Sequence, residues 1–413
     1  MAGIVLAAAL LSACGSPDAG PQIEGPPRGS PMGWALDLHG AAARNGEEDA
    51  RTLSLPYVSE GARATGSRRG VTLRSPDSAA PEGGFYVSGH APEAILLDGE
   101  GRILWRWRYP FSRAFPDRRE LPDNLFWRRA RLLPDGSVVA LFQNGGLVRI
   151  DRRSRLLWAT RSPAYNDLFV TDRGTILTLV KELAESGSAA GRPVLEDHLV
   201  ELDLETGRER WRISILAALE RSPWASFVPE SPTDADILHS NGIALVEPNR
   251  TPGIPPFVAG TVLLSLREID TVVLLDPERG EIVWARRGPW RAQHAPLLDD
   301  RGRLVLFDNA GGREEGARVV RMDLAEETVV WQFPPEGDPS LESPMAGAVQ
   351  LLEKGHLLIT ESARGRALEV TPDREIVWEF RSPHRAGEHD VYVAYLFEFR
   401  RVPLPAWLPE EEP

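Results

Sequence analysis

The sequence predicts an all-β protein: a six-bladed β-propeller preceded by a short helical and tether segment. Three observations predict it. A hairpin closing on tryptophan recurs six times, a second hairpin precedes five of these, and the array occupies most of the 413 residues. Self-similar units at such spacing mark a repeat architecture. An all-β repeat fold can also take a chain of this length as one body, where length alone suggests two or three domains.

The elements follow in chain order. The opening "MAGIVLAAALLSACGS" is a short apolar stretch ending in Leu11-Ser12-Ala13-Cys14, and Cys14 is the only cysteine. It resembles a bacterial lipoprotein signal, so residues 1–13 are expected to be removed and Cys14 to carry lipid. Residues 14–69 are expected to form a tether, "GSPDAGPQIEGPPRGSP", and a short helical docking segment. A single lipidated cysteine leaves none for disulfides. The propeller is expected over residues 70–405 and an acidic tail over 406–413. No apolar run of eighteen residues follows, so no transmembrane helix is expected. The expected location is extracytoplasmic, on the membrane: the periplasm, or the outer membrane of a Gram-negative host. The formal charge of −13, from 60 acidic and 47 basic residues, argues against a nucleic-acid partner.

The six tryptophan hairpins are "LLDGEGRILW" to Trp105, "RIDRRSRLLW" to Trp158, "ELDLETGRERW" to Trp211, "LLDPERGEIVW" to Trp284, "RMDLAEETVVW" to Trp331 and "EVTPDREIVW" to Trp378. Each reads as a strand, a turn rich in Asp, Glu, Pro, Thr and Gly, and a second strand. The inner hairpins turn at "LLPDGSVVALF", "FVTDRGTILTL", "ALVEPN…GTVLLSL", "LLDDRGRLVLF" and "LLEKGHLLIT". Two hairpins in tandem make a four-stranded blade. The tryptophans are read as packing between blades. The carboxyl-terminal "VYVAYLFEFRRVPLPAWL" reads as a further strand covering an edge of the first or last blade.

Strand direction then selects a face. With strands a to d counted outward, the start of a, the end of b and the start of c share one face of the disc. In the fifth blade these are His294, Asp308 with Asn309, and Arg318. In the fourth they are His239, beside Asp236 and Asn241, and Arg267. Alignment on the first-turn glycines adds Asn166 and Arg128, and places Gly347 at the same position in the sixth blade. Catalysis is therefore expected from His239, His294 and Arg318, and substrate binding from Arg267, Asn241, Asn309 and Asn166. This nitrogen-rich face suits a small anionic ligand. His356 falls on the far face, ~16 Å from the Gly347 position at one strand rise per residue. His384 and His389, in "HRAGEHD", fall in a loop that can overhang either face, and His39, His90 and His198 have no aligned partner; all five are read as background. No cofactor and no metal ligand set is expected.

The segments "GVTLRSP", "DILHSN", "LLSLREIDTVVLLD", "QHAPLLDDRGRLVLFDN", "ARVVRMD" and "GAVQLLEKGHLLITES…EVTPDREIVWEF" together resemble the bacterial arylsulfate sulfotransferase family, over about Gly70 to Arg381. The resemblance implies a six-bladed propeller that moves a sulfuryl group from an aryl sulfate to a phenol without a nucleotide donor. It implies acid–base and sulfate-binding roles for His239 and His294. The planar donor fork of Arg318 suits sulfuryl oxygens. The family carries the transferred group on a histidine of a late blade, where this chain has Gly347. Either His294 or His239 then doubles as nucleophile, transfer is direct, or the face only binds. The competing reading is a non-catalytic propeller lipoprotein, a ligand-binding or assembly scaffold at the envelope. A quinone-dependent dehydrogenase is disfavoured by the irregular repeat and the lack of a calcium-binding acidic cluster.

Overall fold

The computed structural model describes residues 68–79, 83–184, 194–230, 235–250, 253–386 and 391–408. Residues 1–67, with Cys14, the tether and the docking segment, and the last residues of the tail lie outside them, as do His39 and His389.

Six antiparallel sheets form the blades. Blade 2 runs outward through Arg129–Leu132, Val138–Phe142, Gly146–Ile150 and Leu156–Thr160. Blade 3 uses Ala164–Val170, Thr175–Ala184, Val194–Asp203 and Glu209–Ser214. Blade 4 uses Ser240–Leu245, Val262–Leu266, Thr271–Asp276 and Glu281–Arg287. Blade 5 uses His294–Leu298, Leu304–Asp308, Arg318–Asp323 and Thr328–Phe333. Blade 6 uses Ala348–Leu351, Leu357–Glu361, Arg366–Val370 and Ile376–Arg381.

The ring closes twice. Blade 1 has only Gly83–Ser88, Glu93–Leu97 and Ile103–Arg108 from the start of the array, and the carboxyl-terminal strand Leu396–Val402 supplies its innermost position. Gly70–Arg74 adds a fifth, outermost strand to blade 6, pairing Gly70 with Arg381. The tail strand thus covers an edge of the first blade as expected, and completes that blade because Gly83–Ser88 has no other partner on its inner side.

Turn chemistry repeats from blade to blade. In "DGEGR", "DRRSR" and "DDRGR" one carboxylate oxygen of Asp98, Asp151 or Asp299 accepts the backbone N–H groups two and four residues on. The other accepts Nε of Arg102, Arg155 or Arg303. Such local bonds hold the tight reversal that the strands alone leave unpaired.

The apolar core lies between blades. Phe307 and Val319 of blade 5 pack on Leu357 and Ile359 of blade 6, and Leu179 and Leu199 of blade 3 on Leu264 and Val273 of blade 4. The tryptophans staple these seams. Trp105, Trp158 and Trp331 each donate Nε1–H to a carbonyl in the outer turn of the next blade, at Arg152, Leu204 and Pro372, over 2.7 to 3.0 Å. Gly207 sits in one such turn at φ 67°, and a Cβ there would lie 2.6 Å from Trp158. Glycine is needed for both reasons. The wide spacing between Trp211 and Trp284 is filled by the connection from blade 3 to blade 4, which carries the helix Ile215–Glu220 capped by Ser214 Oγ.

Candidate functional site at the mouth of the propeller

The shared strand direction brings the predicted histidines to one mouth. His294 opens the innermost strand of blade 5, and His239 immediately precedes that of blade 4. Arg267 follows the second strand of blade 4, and its backbone N–H donates to His239 O at 3.2 Å. Arg128 precedes the innermost strand of blade 2 and lies over the Phe397 ring at 4.4 Å.

His294 is buried, at 1% exposure. Its Nδ1 is 2.7 Å from Asn309 Oδ1 and 3.2 Å from Ala292 O. The Asn309 amide has one orientation, because its Nδ2 donates to Ser343 O at 2.5 Å and Ala346 O at 3.0 Å. Both neighbours of Nδ1 are therefore acceptors, Nδ1 carries the proton, and the lone pair resides on Nε2. Nε2 has no hydrogen bond among the described residues. Burial pushes the pKa of His294 well below the ordinary imidazole value, and the charges of Arg267 and Arg128 push it further, with Asn309 opposing them. The ring is neutral, and cationic groups from blades 2 and 4 surround it.

His239 has the same tautomer by different means. Its Nδ1 donates to Asp236 Oδ2 at 2.7 Å, and Asp236 Oδ1 accepts the His239 backbone N–H at 3.2 Å. Nε2 lies 3.5 Å from Asn166 Nδ2. The residue is held left-handed, at φ 47°, as is Asn166 at φ 58°. Neighbouring structure imposes these conformations, which place the imidazole at the mouth.

Behind His239 stands a buried charge cluster. Lys181 Nζ donates to Asp236 Oδ2 at 2.5 Å, lies 3.8 Å from Asp197, and sits over the Tyr165 ring at 4.4 Å. Burial alone would raise the Asp236 carboxyl, but Lys181 and His239 outweigh it and hold it far below the usual carboxylate range. Asp236 is thus an anion at the back of the imidazole, able to stabilise the imidazolium that proton uptake creates. Lys181 was missed from sequence, although it is one of only two lysines and interrupts the apolar strand "TILTLVKELA". That interruption is the signal which could have found it.

The asparagines frame the histidines from within the protein. Asn166 Nδ2 donates to Ser240 O at 3.0 Å, and its Oδ1 accepts Gln143 Nε2 at 3.1 Å. Asn241 is sealed between blades 4 and 5, donating to Gln293 O at 3.0 Å. Asn309 supports His294 as described. Asn166, Asn241 and Asn309, expected to bind substrate, are each buried and bonded to backbone or histidine groups.

Arg318 also differs from expectation. Its Nε donates to Asp308 Oδ2 at 2.9 Å, Nη1 to Gln332 Oε1 at 3.0 Å and Nη2 to Pro289 O at 3.2 Å. Asp308 and Arg318 face each other across the second and third strands. Glu361 and Arg366 repeat that pair at the same place in blade 6, at 2.6 Å. A pair that recurs in a blade without a histidine is a brace of the repeat. Asp308 Oδ1 in turn accepts the N–H groups of Arg291 and Gly311, shaping the loops around His294.

Gly347 is not a vacant seat for a histidine. A Cβ there would fall 2.6 Å from Phe307 Cγ, so the position is filled from blade 5. Arg129 and Arg131 of blade 2 and Arg400 of the closing strand share two carboxylates among the described residues, Asp167 and Glu398. His356 lies in the turn on the far face and bonds Glu369 at 2.9 Å.

These features define a six-bladed propeller whose mouth gathers His239, His294, the buried Arg128, and Arg267 in an ion pair with Glu268. The family profile of the arylsulfotransferases (ASST) matches residues 129–383, more than half of the chain, and the protein belongs to that family. Its function is therefore arylsulfotransferase-like in general kind. No curated protein matches the sequence. Among solved structures, a protein of unknown function from Bacteroides caccae is similar at TM-score 0.51 and 11% identity, covering 78% of this chain and 98% of that one. Virginiamycin B lyase from Staphylococcus aureus, solved with quinupristin, reaches 0.42 at 11% identity, covering 77% and 91%. BamB from Moraxella catarrhalis reaches 0.36 at 12%, covering 76% and 77%. At such identities the first speaks for the fold alone, and the other two carry no argument.

Proposed function

We propose that the protein transfers a sulfuryl group from an aryl sulfate to a phenolic acceptor through a histidine-bound intermediate, with His294 as the carrier. The observation that supports this is the tautomer: His294 is neutral, protonated on Nδ1, with its Nε2 lone pair free of hydrogen bonds among the described residues and within reach of the charges of Arg267 and Arg128. The donor enters sulfuryl end first, because His294 is buried. Its Nε2–S bond forms as the S–O bond to the aryl group breaks. A proton carried on His239 Nε2, with the Asp236 anion behind the ring, passes to the departing phenolate. The acceptor phenol then yields its proton to the now neutral His239, its oxygen bonds to sulfur, and the N–S bond breaks. The charge spread over the sulfuryl oxygens in flight is met by Arg267 and Arg128. Arg318 acts through Asp308 as a positioning residue, and Asn309, Asn166 and Asn241 hold the mouth in shape.

The test is a chromogenic aryl sulfate with and without a phenol, followed by acid quench and peptide mass spectrometry. Acceptor-dependent phenol release and one sulfuryl group on the His294 peptide are expected, both absent in His294→Ala. Turnover without a labelled peptide sinks the covalent carrier. No turnover across several donors sinks the enzyme and leaves a binding scaffold. The same reading has the chain held outside the cytoplasm by lipid on Cys14, so Cys14→Ser should move it from the membrane to the soluble fraction.

A further inference from the structure

Two histidines without a role at the mouth meet elsewhere on the same face. His90 lies in the turn after the second strand of blade 1, and Glu93 opens the third. His384 lies in the segment that follows the outer strand of blade 6 and leads to the closing strand of blade 1. One ligand atom from each of the three lies within 4.8 Å of the others. We propose that His90, Glu93 and His384 bind a divalent transition-metal ion of the zinc class, which clasps the crossing segment to blade 1. The proposal is independent of the sulfuryl-transfer reading.

Two imidazoles and one carboxylate favour zinc or cobalt(II) over calcium or magnesium, which take oxygen donors. The surroundings supply what such ligands need behind them. His90 Nδ1 is 2.5 Å from Ser88 Oγ, which leaves Nε2, 2.8 Å from Glu93 Oε1, as its ligand atom. His384 Nε2 is 2.9 Å from Tyr86 OH, which leaves Nδ1. Hydroxyl partners of this kind set the tautomer and orientation of a ligating histidine. Arg106 shares Glu93 Oε1 at 3.1 Å, while Glu93 Oε2 accepts no hydrogen bond among the described residues. Glu93 is buried and the His90 side chain is 16% exposed, so an ion reaches a site that is mostly dry.

The two rings stack with centroids 3.4 Å apart and planes 11° from parallel. Parallel lone pairs cannot both aim at one ion. Loading therefore swings the rings apart, toward metal–nitrogen bonds of about 2.1 Å, and displaces the proton between His90 and Glu93. Three protein ligands leave a coordination position for water.

The experiment uses the full chain, stripped with chelator and titrated with zinc and, separately, cobalt(II). Expected are one equivalent per chain by native mass spectrometry, visible cobalt bands of four- or five-coordination, and a zinc-dependent rise in Tm of about 5 °C. His90→Gln and Glu93→Gln, checked for folding by circular dichroism, should lose all three. Absence of stoichiometric binding in the wild type, or equal binding in both folded variants, overturns the proposal.

Discussion

His294 donates its Nδ1 proton to Asn309 Oδ1 at 2.7 Å, and Asn309 is itself pinned by two carbonyls leading into blade 6. Orientation of the reactive ring therefore depends on the seam between two blades. Asn309→Ala should lower kcat about 10- to 100-fold, less than the ~10²–10⁴ expected for His294→Ala. It should also lower stability by about 2–3 kcal/mol through unpaired carbonyls. Steady-state kinetics with urea unfolding measure both, and an unchanged kcat would remove Asn309 from the argument.

Asp236 accepts from two donors at once, His239 Nδ1 at 2.7 Å and Lys181 Nζ at 2.5 Å. Asp236→Asn should cost ~10²–10⁴ in kcat. Leaving Lys181 buried without its nearest anion should cost about 3–5 kcal/mol. In the double variant Lys181→Met/Asp236→Asn much of the stability should return while activity stays low. Recovery of activity with stability would show the pair to be structural alone.

Arg318 and Arg267 should separate cleanly. Arg318→Met breaks the brace to Asp308, so Tm falls while inhibition by free sulfate stays within about threefold. Arg267→Met should weaken sulfate inhibition about tenfold, the value of about 1.4 kcal/mol for one charged contact. Equal effects on sulfate would return Arg318 to the mouth.

Gly347→Ala should destabilise by about 1–3 kcal/mol, because the new Cβ meets Phe307 at 2.6 Å. Shortening the neighbour in Gly347→Ala/Phe307→Leu should recover part of the loss in thermal unfolding. Gly347→His should not raise turnover. A faster Gly347→His enzyme would show that the late-blade seat is open after all.

Acid should destabilise the fold. Burial holds His294 far below its ordinary pKa, and burial with the nearby His90 charge brings His384 to about 3. Unfolded, each ring binds a proton near pH 6.5. As pH falls below that value the unfolded state gains protons that the folded state refuses, so stability present above it is lost. Urea midpoints should drop between pH 7.5 and 5.0, and the slope should flatten in His384→Gln. A pH-independent midpoint would contradict the buried neutral rings.

Much of this was legible because propeller architecture converts strand order into position. Tryptophan spacing and turn composition declared the blades, and strand direction put His239, His294 and Arg267 on one face. The roles of Arg318 and the asparagines were not legible, since partners such as Gln332 and Ser343 are chosen by side-chain reach across strands and seams.

Linear pattern therefore settled the repeat, its polarity and the face that bears nitrogen. Ring closure settled the rest: that the last strand becomes the innermost of blade 1, that Phe307 occupies the place beside Gly347, and that His384 stacks on His90 from the opposite end of the array. Periodicity is written locally, in successive residues, and survives in one dimension. Contacts between the first and last blades arise only when the disc shuts, and no local pattern encodes them.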